Sequence, residues 1–393
     1  MEESDKEAQV IGDRLYYLDW LKVFAILMVF VFHNAHFFDF IDWCVKNNTK
    51  SPVMMGIFLS IHFWSMPLFF LLAGAGAKFA LDSRTSFQYV LERLKRLIIP
   101  LIIGMLVLAP PQGYVEDLSK FRFRGSFCDY YPRFFRDLFD SFSMDAYGEN
   151  TYHLWFLGFL FCFSVVALPL FLWFKSDFAK RIIDKIAGFC ENKGAIFLFA
   201  LPILISHLLI RVSYPEYSGW GDFSYWLIYF VYGYVLFSNS KFDAIIKRHG
   251  KQAFVLSLLC LSLLGIMFST IQNVVWFRYP NYSLMSVIFM ILYSILTWSW
   301  VIFILSLGSK LLNFSNRFLK YSSEALLPFY LLHQTVILLI GFFVVRWNMG
   351  IWGKFFIISF ISLVVTAGIY DFFIRRNNFI RVLFGMKKKK KYI

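Results

Sequence analysis

Ten long apolar stretches, separated by short polar ones, constrain the fold of this 393-residue chain more than any other feature. An apolar run of about 20 residues is long enough to cross a bilayer. Within lipid only helices and closed barrels satisfy their backbone groups, so we read each run as a helix. The chain is therefore predicted to be an all-α, polytopic transmembrane bundle of about ten spans over residues 17–374. The runs are Tyr17–Phe38, Met54–Ala80, Leu97–Ala109, His153–Phe174, Ala195–Ile210, Phe223–Phe237, Ala253–Ser269, Leu284–Leu307, Ala325–Val345 and Phe355–Ile374.

The composition excludes a soluble enzyme of this size. Hydrophobic residues make up 59% of the chain and charged residues 16%, whereas soluble domains have about 25% charged residues. The 50 phenylalanines alone carry more apolar surface than a soluble core of this length would bury. Five scattered cysteines form neither a disulfide framework nor a CxxC metal pair.

Two runs have features that bear on the architecture. The third run covers only Leu97–Ala109 before Pro110 and Pro111, and so predicts a half-embedded or tilted helix. The second run contains Pro67, followed by small residues at Ala73–Gly76 that allow close approach of a neighbouring helix. No internal repeat is evident, which argues against the inverted halves of many transporters.

The distribution of Lys and Arg predicts the orientation. With the N-tail (1–16) inside, 27 of the 39 cations fall on the inner side and 11 on the outer side, and Lys22 lies within the first span. Because inner segments are richer in cations, we expect both termini in the cytoplasm, an outer loop at about 111–152 and a basic tail at 375–393. The five lysines Lys387–Lys391 are typical of a tether to anionic lipid, whereas no basic soluble patch suggests nucleic-acid binding.

Histidines are concentrated in or beside the apolar runs. Ionisable side chains at membrane depth are rare and usually face a cavity or a partner, so this set predicts a polar interior. The histidines lack ligand-pair spacing such as HExxH, and no metal is expected. Only His249 falls in a basic stretch that we predict to be a loop. The other six are His33, His36, His62, His153, His207 and His333.

The first span carries the most informative spacing, Lys22 followed by ten residues and then His33. Eleven helical steps of about 100° make nearly three turns, so both side chains share one face, roughly 16 Å apart along the axis. Asp19 lies three residues before Lys22, where a local ion pair can form. Two simpler interpretations stay open: Lys22 could extend to the headgroups, and His33 could be a buried, hydrogen-bonded histidine.

Further polar residues occur at the predicted ends and interiors of other spans. Arg93, Lys95 and Arg96 precede Pro100 at the inner mouth of the third span, where they could bind phosphate or serve only as a positive-inside signal. His153 and Trp155 open the fourth span, and Tyr330 and His333 lie in the ninth. Taken singly, Trp155 fits an aromatic belt and Tyr330 fits packing.

Together these blocks resemble the acyltransferase family 3 membrane proteins, which include bacterial glycan O-acylating enzymes and the glucan-modifying succinyltransferase type. The resemblance runs in order from Asp19 to about His333. The family's first motif is Arg, ten residues and His, so Lys22 replaces an arginine, keeping the charge but losing the planar fork. The other matching blocks are Met66–Gly74, Arg93–Pro100, His153–Leu157 and Tyr330–His333.

The resemblance implies transfer of an acyl group, acetyl or succinyl, from cytoplasmic acyl-CoA to a hydroxyl of a carbohydrate-like acceptor. It implies a bacterial inner-membrane enzyme with no bound cofactor and acyl-CoA as co-substrate. The alternatives are a transporter or flippase, and a non-catalytic member of the same fold; consumption of acyl-CoA would separate them. The expected roles are His33 as general base, Lys22, Arg93, Lys95 and Arg96 as ligands of the CoA phosphates, and His153, Trp155, Tyr330 and His333 as the acceptor cavity.

Overall fold

The computed structural model describes residues 15–140, 143, 147, 151–216, 218–270 and 279–389, and within them the regular structure is helical throughout. The α-helices are α1 (Tyr16–Ala35), α2 (Pro52–Ser83), α3 (Ser86–Arg93), α4 (Ile99–Val107), α5 (Ala109–Ser119), α6 (Phe127–Asp140), α7 (Trp155–Val166), α8 (Leu168–Trp173), α9 (Asp177–Cys190), α10 (Ala200–Ser206), α11 (Trp220–Leu236), α12 (Lys241–Thr270), α13 (Leu284–Leu311), α14 (Arg317–Val344), α15 (Ile351–Ile369) and α16 (Asn378–Leu383).

Seven helical stretches in the described part of the chain are long and apolar enough to cross a membrane. Two shorter apolar stretches, Tyr152–Val166 and Ala195–Arg211, and the 17-residue α11 account for the other predicted runs. The all-helical prediction is confirmed. Length and composition support seven of the ten predicted spans, and the total of ten stays a prediction. The seven stretches are Tyr16–Ala35, Pro52–Ser83, Ser86–Ser119, Lys241–Phe268, Leu284–Leu311, Arg317–Val344 and Ile351–Ile374.

The prediction of a short third span was wrong. The chain is helical from Ser86 to Ser119, because a π-helical turn at Leu94–Ile98 joins α3 to α4, and Pro110 falls in the first turn of α5. Proline is tolerated in the first turn of a helix, where its missing N–H has no helical partner to lose. The prolines therefore mark a junction between two helices, and the first part of the predicted outer loop is helical.

The prediction that His249 lies in a basic loop was also wrong. His249 sits in α12 and is only 2% exposed; its Nδ1 lies 2.9 Å from the carbonyl oxygen of Ile245. The polar start of α12 is stabilised by an ion pair between Lys247 and Asp243 at 2.7 Å, one helical turn apart. The amphipathic first turns thus continue the apolar helix and bury His249 on their inner face.

Helix α1 lies in the middle of the bundle, packed against α2, α13 and α14. Helices α2 and α11 approach so closely that a Cβ on Gly74 would collide with the carbonyl of Phe230, and one on Gly233 with that of Leu71. The expectation that the small residues after Pro67 permit close packing is confirmed. The neighbouring α1 and α14 bring the first and ninth predicted spans side by side, which sets the position of the site.

Candidate active site

Three histidine rings that are distant in sequence meet inside the bundle. The His333 ring centroid lies 5.2 Å from that of His33 and 5.2 Å from that of His153. His33 comes from the last turn of α1, His153 from the short 3-10 turn Tyr152–Leu154 before α7, and His333 from the middle of α14. His153 and His333 are buried and His33 is half-buried. We call these three residues the histidine cluster.

Hydrogen bonds fix which nitrogen of two cluster members carries the proton. His333 Nδ1 lies 2.6 Å from the carbonyl oxygen of Tyr330, and His153 Nε2 lies 3.1 Å from that of Leu331. Because a carbonyl only accepts, each of these nitrogens is the donor. In the neutral ring the other nitrogen then holds a lone pair, and among the described residues His333 Nε2, His153 Nδ1 and His33 Nδ1 have no hydrogen-bond partner. A ligand that donates protons, such as a hydroxyl, complements this set.

The turn that carries His153 is held by two reciprocal bonds to α14. Tyr330 donates its hydroxyl to the His153 carbonyl, while the His153 ring donates to the carbonyl of Leu331. Tyr152, immediately before, has φ 52°, a left-handed conformation that costs a non-glycine residue about 1–2 kcal/mol. Strain of this kind persists where surrounding contacts enforce it. The structure thus uses a strained residue to direct His153 inward.

Trp155 occupies a different environment from the other three residues predicted for the acceptor cavity. Its ring stacks on Trp226, with centroids 4.4 Å apart and planes inclined by 14°. Both belong to the aromatic core around Phe70 and Phe159. The predicted set thus divides into His153, Tyr330 and His333 at the cluster and Trp155 in the packing behind it, since helix α7 turns residue 155 away from the position of residue 153.

The loop between α1 and α2 contains His36 and adds Asp39, Trp43 and Lys46, which the sequence patterns did not single out. His36 Nδ1 lies 2.5 Å from the carboxylate of Asp39, which also accepts from Lys46 Nζ at 2.7 Å. Asp39 is fully buried, and although burial alone would raise its pKa, the bonds from His36 and Lys46 outweigh this and lower it. The ring of Trp43 stacks on His33 and on His36, with centroids 5.7 and 4.7 Å apart.

Lys22 lies near the opposite end of α1. Its Nζ is 3.3 Å from the carboxylate of Asp19, as the spacing predicted, and its side chain is 33% exposed. One and a half ångströms of rise per residue puts it about 16 Å along the helix from His33. The two family-motif residues on α1 therefore mark two ends of the bundle, which we call the Lys22 end and the His33 end.

The three cations of the third predicted span surround the π-helical turn that precedes Pro100. Arg93 lies over the ring of Tyr89 at 5.1 Å, Lys95 is exposed, and Arg96 pairs with Glu92 at 3.5 Å. Proline lacks an N–H, so the carbonyl of Arg96 cannot receive the usual α-helical bond from residue 100, which favours the wider turn.

The C-terminal segment packs directly on this turn. Arg96 Nε donates to the carbonyl of Gly385 at 3.3 Å, and a Cβ on Gly385 would lie 2.8 Å from the carbonyl oxygen of Arg96. Gly385 has φ 72°, which glycine adopts without strain. Arg381 is buried and donates to Glu324 at 2.8 Å, holding α16 against α14. Lys387–Lys389 follow at once, and Lys390 and Lys391 lie outside the described residues.

Comparison with known proteins gives the family of the chain. A family model for the acyltransferase domain of acyltransferase family 3 matches residues 15–371, a range that contains the histidine cluster and all four predicted donor-side cations. The chain belongs to acyltransferase family 3.

Curated relatives of this acyltransferase carry the name glucans biosynthesis protein C. That of Salmonella heidelberg (strain SL476) is 24% identical over 352 residues, which cover 86% of each chain. Those of Salmonella agona (strain SL483) and Salmonella paratyphi A (strain ATCC 9150 / SARB42) are 24% identical over 351 residues, again with 86% of each chain covered. No solved structure matches the chain. Family membership and seven apolar helices together make this an integral membrane protein of an acyltransferase family.

Proposed function

We propose that this protein transfers an acetyl or succinyl group from acyl-CoA to a hydroxyl of a carbohydrate acceptor. The observation that carries the proposal is the histidine cluster, which presents ring nitrogens that have no hydrogen-bond partner among the described residues, inside a membrane bundle. The glucan in the printed name of the relatives supports a carbohydrate as acceptor. Acyl transfer is the reaction class of the family.

In this proposal His33 is the general base. Its ring takes the proton from the acceptor hydroxyl as the hydroxyl oxygen attacks the thioester carbonyl carbon. The C–S bond breaks, the acyl group becomes an ester on the acceptor, and the proton passes to the CoA thiolate. Histidine suits this step because its ordinary pKa is near neutrality. A transient acyl-His33 is a variant in which the ring nitrogen attacks first and the hydroxyl then displaces it.

The other cluster residues bind the acceptor in this scheme. His153 and His333 accept hydrogen bonds from its hydroxyls through His153 Nδ1 and His333 Nε2, the two nitrogens left unbonded by their fixed tautomers. Tyr330 orients His153 through the carbonyl bond. Trp155 supports the cluster from the aromatic core and does not touch the acceptor.

The donor occupies the Lys22 end. Lys22, Arg93, Lys95 and Arg96 bind the phosphates of CoA, since guanidinium forks and ammonium groups both pair with phosphate oxygens. The pantetheine arm then follows α1 toward His33, a path of about 16 Å along the helix. Arg96 is already anchored on the C-terminal segment through the carbonyl of Gly385, which fixes one cation of this site.

The topology that suits this scheme has the Lys22 end in the cytoplasm and the His33 end outside. The cation count supports both termini inside, in a bundle of ten spans that includes the three shorter apolar helices. The protein would reside in a bacterial inner membrane, with its basic C-terminal segment against anionic lipid.

A reconstituted assay tests the function. Purified protein in proteoliposomes is incubated with acyl-labelled CoA and short gluco-oligosaccharides, and labelled ester is measured together with solute flux. Ester formation supports the proposal. Solute flux without acyl-CoA consumption would show a transporter, and neither ester nor flux would show a non-catalytic member of the fold.

A further inference from the structure

Trp43 is the one aromatic side chain of the α1–α2 loop that packs on His33, the proposed base. Its indole is stacked on His33, with planes inclined by 17°, and on His36, with planes inclined by 29°, while its edge meets Phe37 at 5.0 Å. The side chain is half-exposed, so Trp43 is partly accessible. A tryptophan of an aromatic belt faces headgroups. Trp43 instead lies against two histidines, one of which, His33, belongs to the histidine cluster.

The loop that carries Trp43 is held from within by a buried carboxylate. Asp39 accepts from His36, from Lys46 and from the backbone N–H of Ile41 at 2.9 Å, and Lys46 also donates to the His36 carbonyl at 2.5 Å. A buried carboxylate with this many donors fixes its surroundings because each broken bond would leave a charge unpaired in the interior. Trp43 therefore has a defined position relative to His33.

Two further contacts tie the same loop to distant helices. Lys354 of α15 is buried and donates to Asn47 at 2.8 Å and to the carbonyl of Val345 at 2.7 Å. On the other side, Asp42 pairs with Lys120 at 3.1 Å. A loop that is held by Lys354 on one side and by Lys120 on the other is a rigid support. Binding residues commonly sit on loops that a rigid scaffold positions.

We propose that Trp43 is a stacking platform for a sugar ring of the acceptor and so determines which acceptors this enzyme prefers. The inference rests on the proposed acyl transfer and adds the acceptor subsite. The C–H groups on one face of a pyranose pack on the indole, whose π face is electron-rich. A ring bound there lies beside His33, so one of its hydroxyls can reach the base. His36 and Asp39 are positioning residues that hold the indole at this angle.

Kinetics with two acceptors test the platform. Trp43→Ala, Trp43→Phe and the wild type are assayed with labelled acyl-CoA and either gluco-oligosaccharide or glycerol, which has hydroxyls but no ring. We expect Trp43→Ala to raise KM for the oligosaccharide by about tenfold, with kinetics toward glycerol unchanged and Trp43→Phe between the two. The matched control is Trp347→Ala, an exposed tryptophan in the loop that also holds Val345.

The outcomes separate the inference from the function it rests on. An unchanged KM for the oligosaccharide in folded Trp43→Ala would overturn the platform while leaving acyl transfer intact. An equal loss toward both acceptors would also overturn it, because Trp43 would then act only by supporting His33. A wild type that esterifies neither acceptor would refute the proposed function and the platform together. Should Trp43→Ala fail to fold, Trp43→Leu replaces it, with the same expected rise in KM.

Discussion

The hydroxyl of Tyr330 provides a test of whether the histidine cluster works as a unit. Tyr330→Phe removes the bond to the carbonyl of His153 but keeps the ring, which contacts His153 and His333 at 5.4 and 5.9 Å between centroids. Losing a buried hydrogen bond and leaving a carbonyl unsatisfied costs about 1–3 kcal/mol of stability. We expect part of this cost to raise the free energy of the transition state. Tyr152, directly before His153, has φ 52°, and the turn relaxes once the bond from Tyr330 is removed.

The expected fall in kcat/KM is about tenfold, which corresponds to about 1.4 kcal/mol. The assay compares initial rates of ester formation and thermal unfolding for the variant and the wild type. Tyr234→Phe is the matched control, because its buried hydroxyl donates to the carbonyl of Phe171 at 3.2 Å outside the cluster. The control should lose similar stability without loss of rate. Equal rates for Tyr330→Phe and Tyr234→Phe would refute the view that Tyr330 orients His153 for catalysis.

Three other changes test separate parts of the account. Gly385→Ala places a methyl group against the Arg96 carbonyl and should raise KM for acyl-CoA several-fold with kcat unchanged. The control is Gly194→Ala, which is also at positive φ (80°) but has open space around it and should leave KM unchanged. Titrations with acyl-CoA compare the two variants. Lys22→Arg should retain or raise activity if the charge binds phosphate, and a large loss in the same titration would mean that lysine geometry is required. Asp39→Asn should cost about 3–5 kcal/mol at neutral pH by leaving Lys46 without its buried carboxylate, as measured by thermal unfolding. Because the pKa of Asp39 lies below its ordinary 3.8, the wild type should lose this stability as pH falls below about 3.8, and the variant should show no such loss. An identical loss in both proteins would mean that other carboxylates cause it.

Much of the helical fold follows from the sequence because apolar runs leave a membrane chain few alternatives. Each predicted run lies in helical structure, and the three-residue spacing of Asp19 and Lys22 correctly predicted their ion pair. Helix ends were less predictable. The Ser86–Ser119 stretch runs through a π-helical turn and three prolines, of which local patterns read Pro110 and Pro111 as an end. His249 was misplaced because i,i+4 ion pairing extended α12 beyond its apolar part.

The candidate site depended on contacts that a single sequence does not contain. Family resemblance selected His33, His153 and His333, but only the packing of α1 and of the Tyr152–Leu154 turn against α14 brings the rings of His33 and His153 each to 5.2 Å from that of His333. Trp43 belongs to no periodic pattern, so nothing in the sequence marked it out. The left-handed conformation of Gly385 is easier to predict from the sequence, because a glycine directly after a terminal helix is typical of a left-handed cap.

The central claim is that His33 is the base of an acyl transfer, and replacing it with alanine tests that claim most directly. The measurement is the rate of ester formation from labelled acyl-CoA and gluco-oligosaccharide, in variants shown to be folded and membrane-inserted. His207→Ala is the control, a buried histidine packed between Tyr225 and Tyr293 at 4.8 and 5.4 Å. We expect His33→Ala to lower the rate by about 10²–10⁴-fold and His207→Ala to leave it near that of the wild type. Wild-type activity in His33→Ala would contradict it.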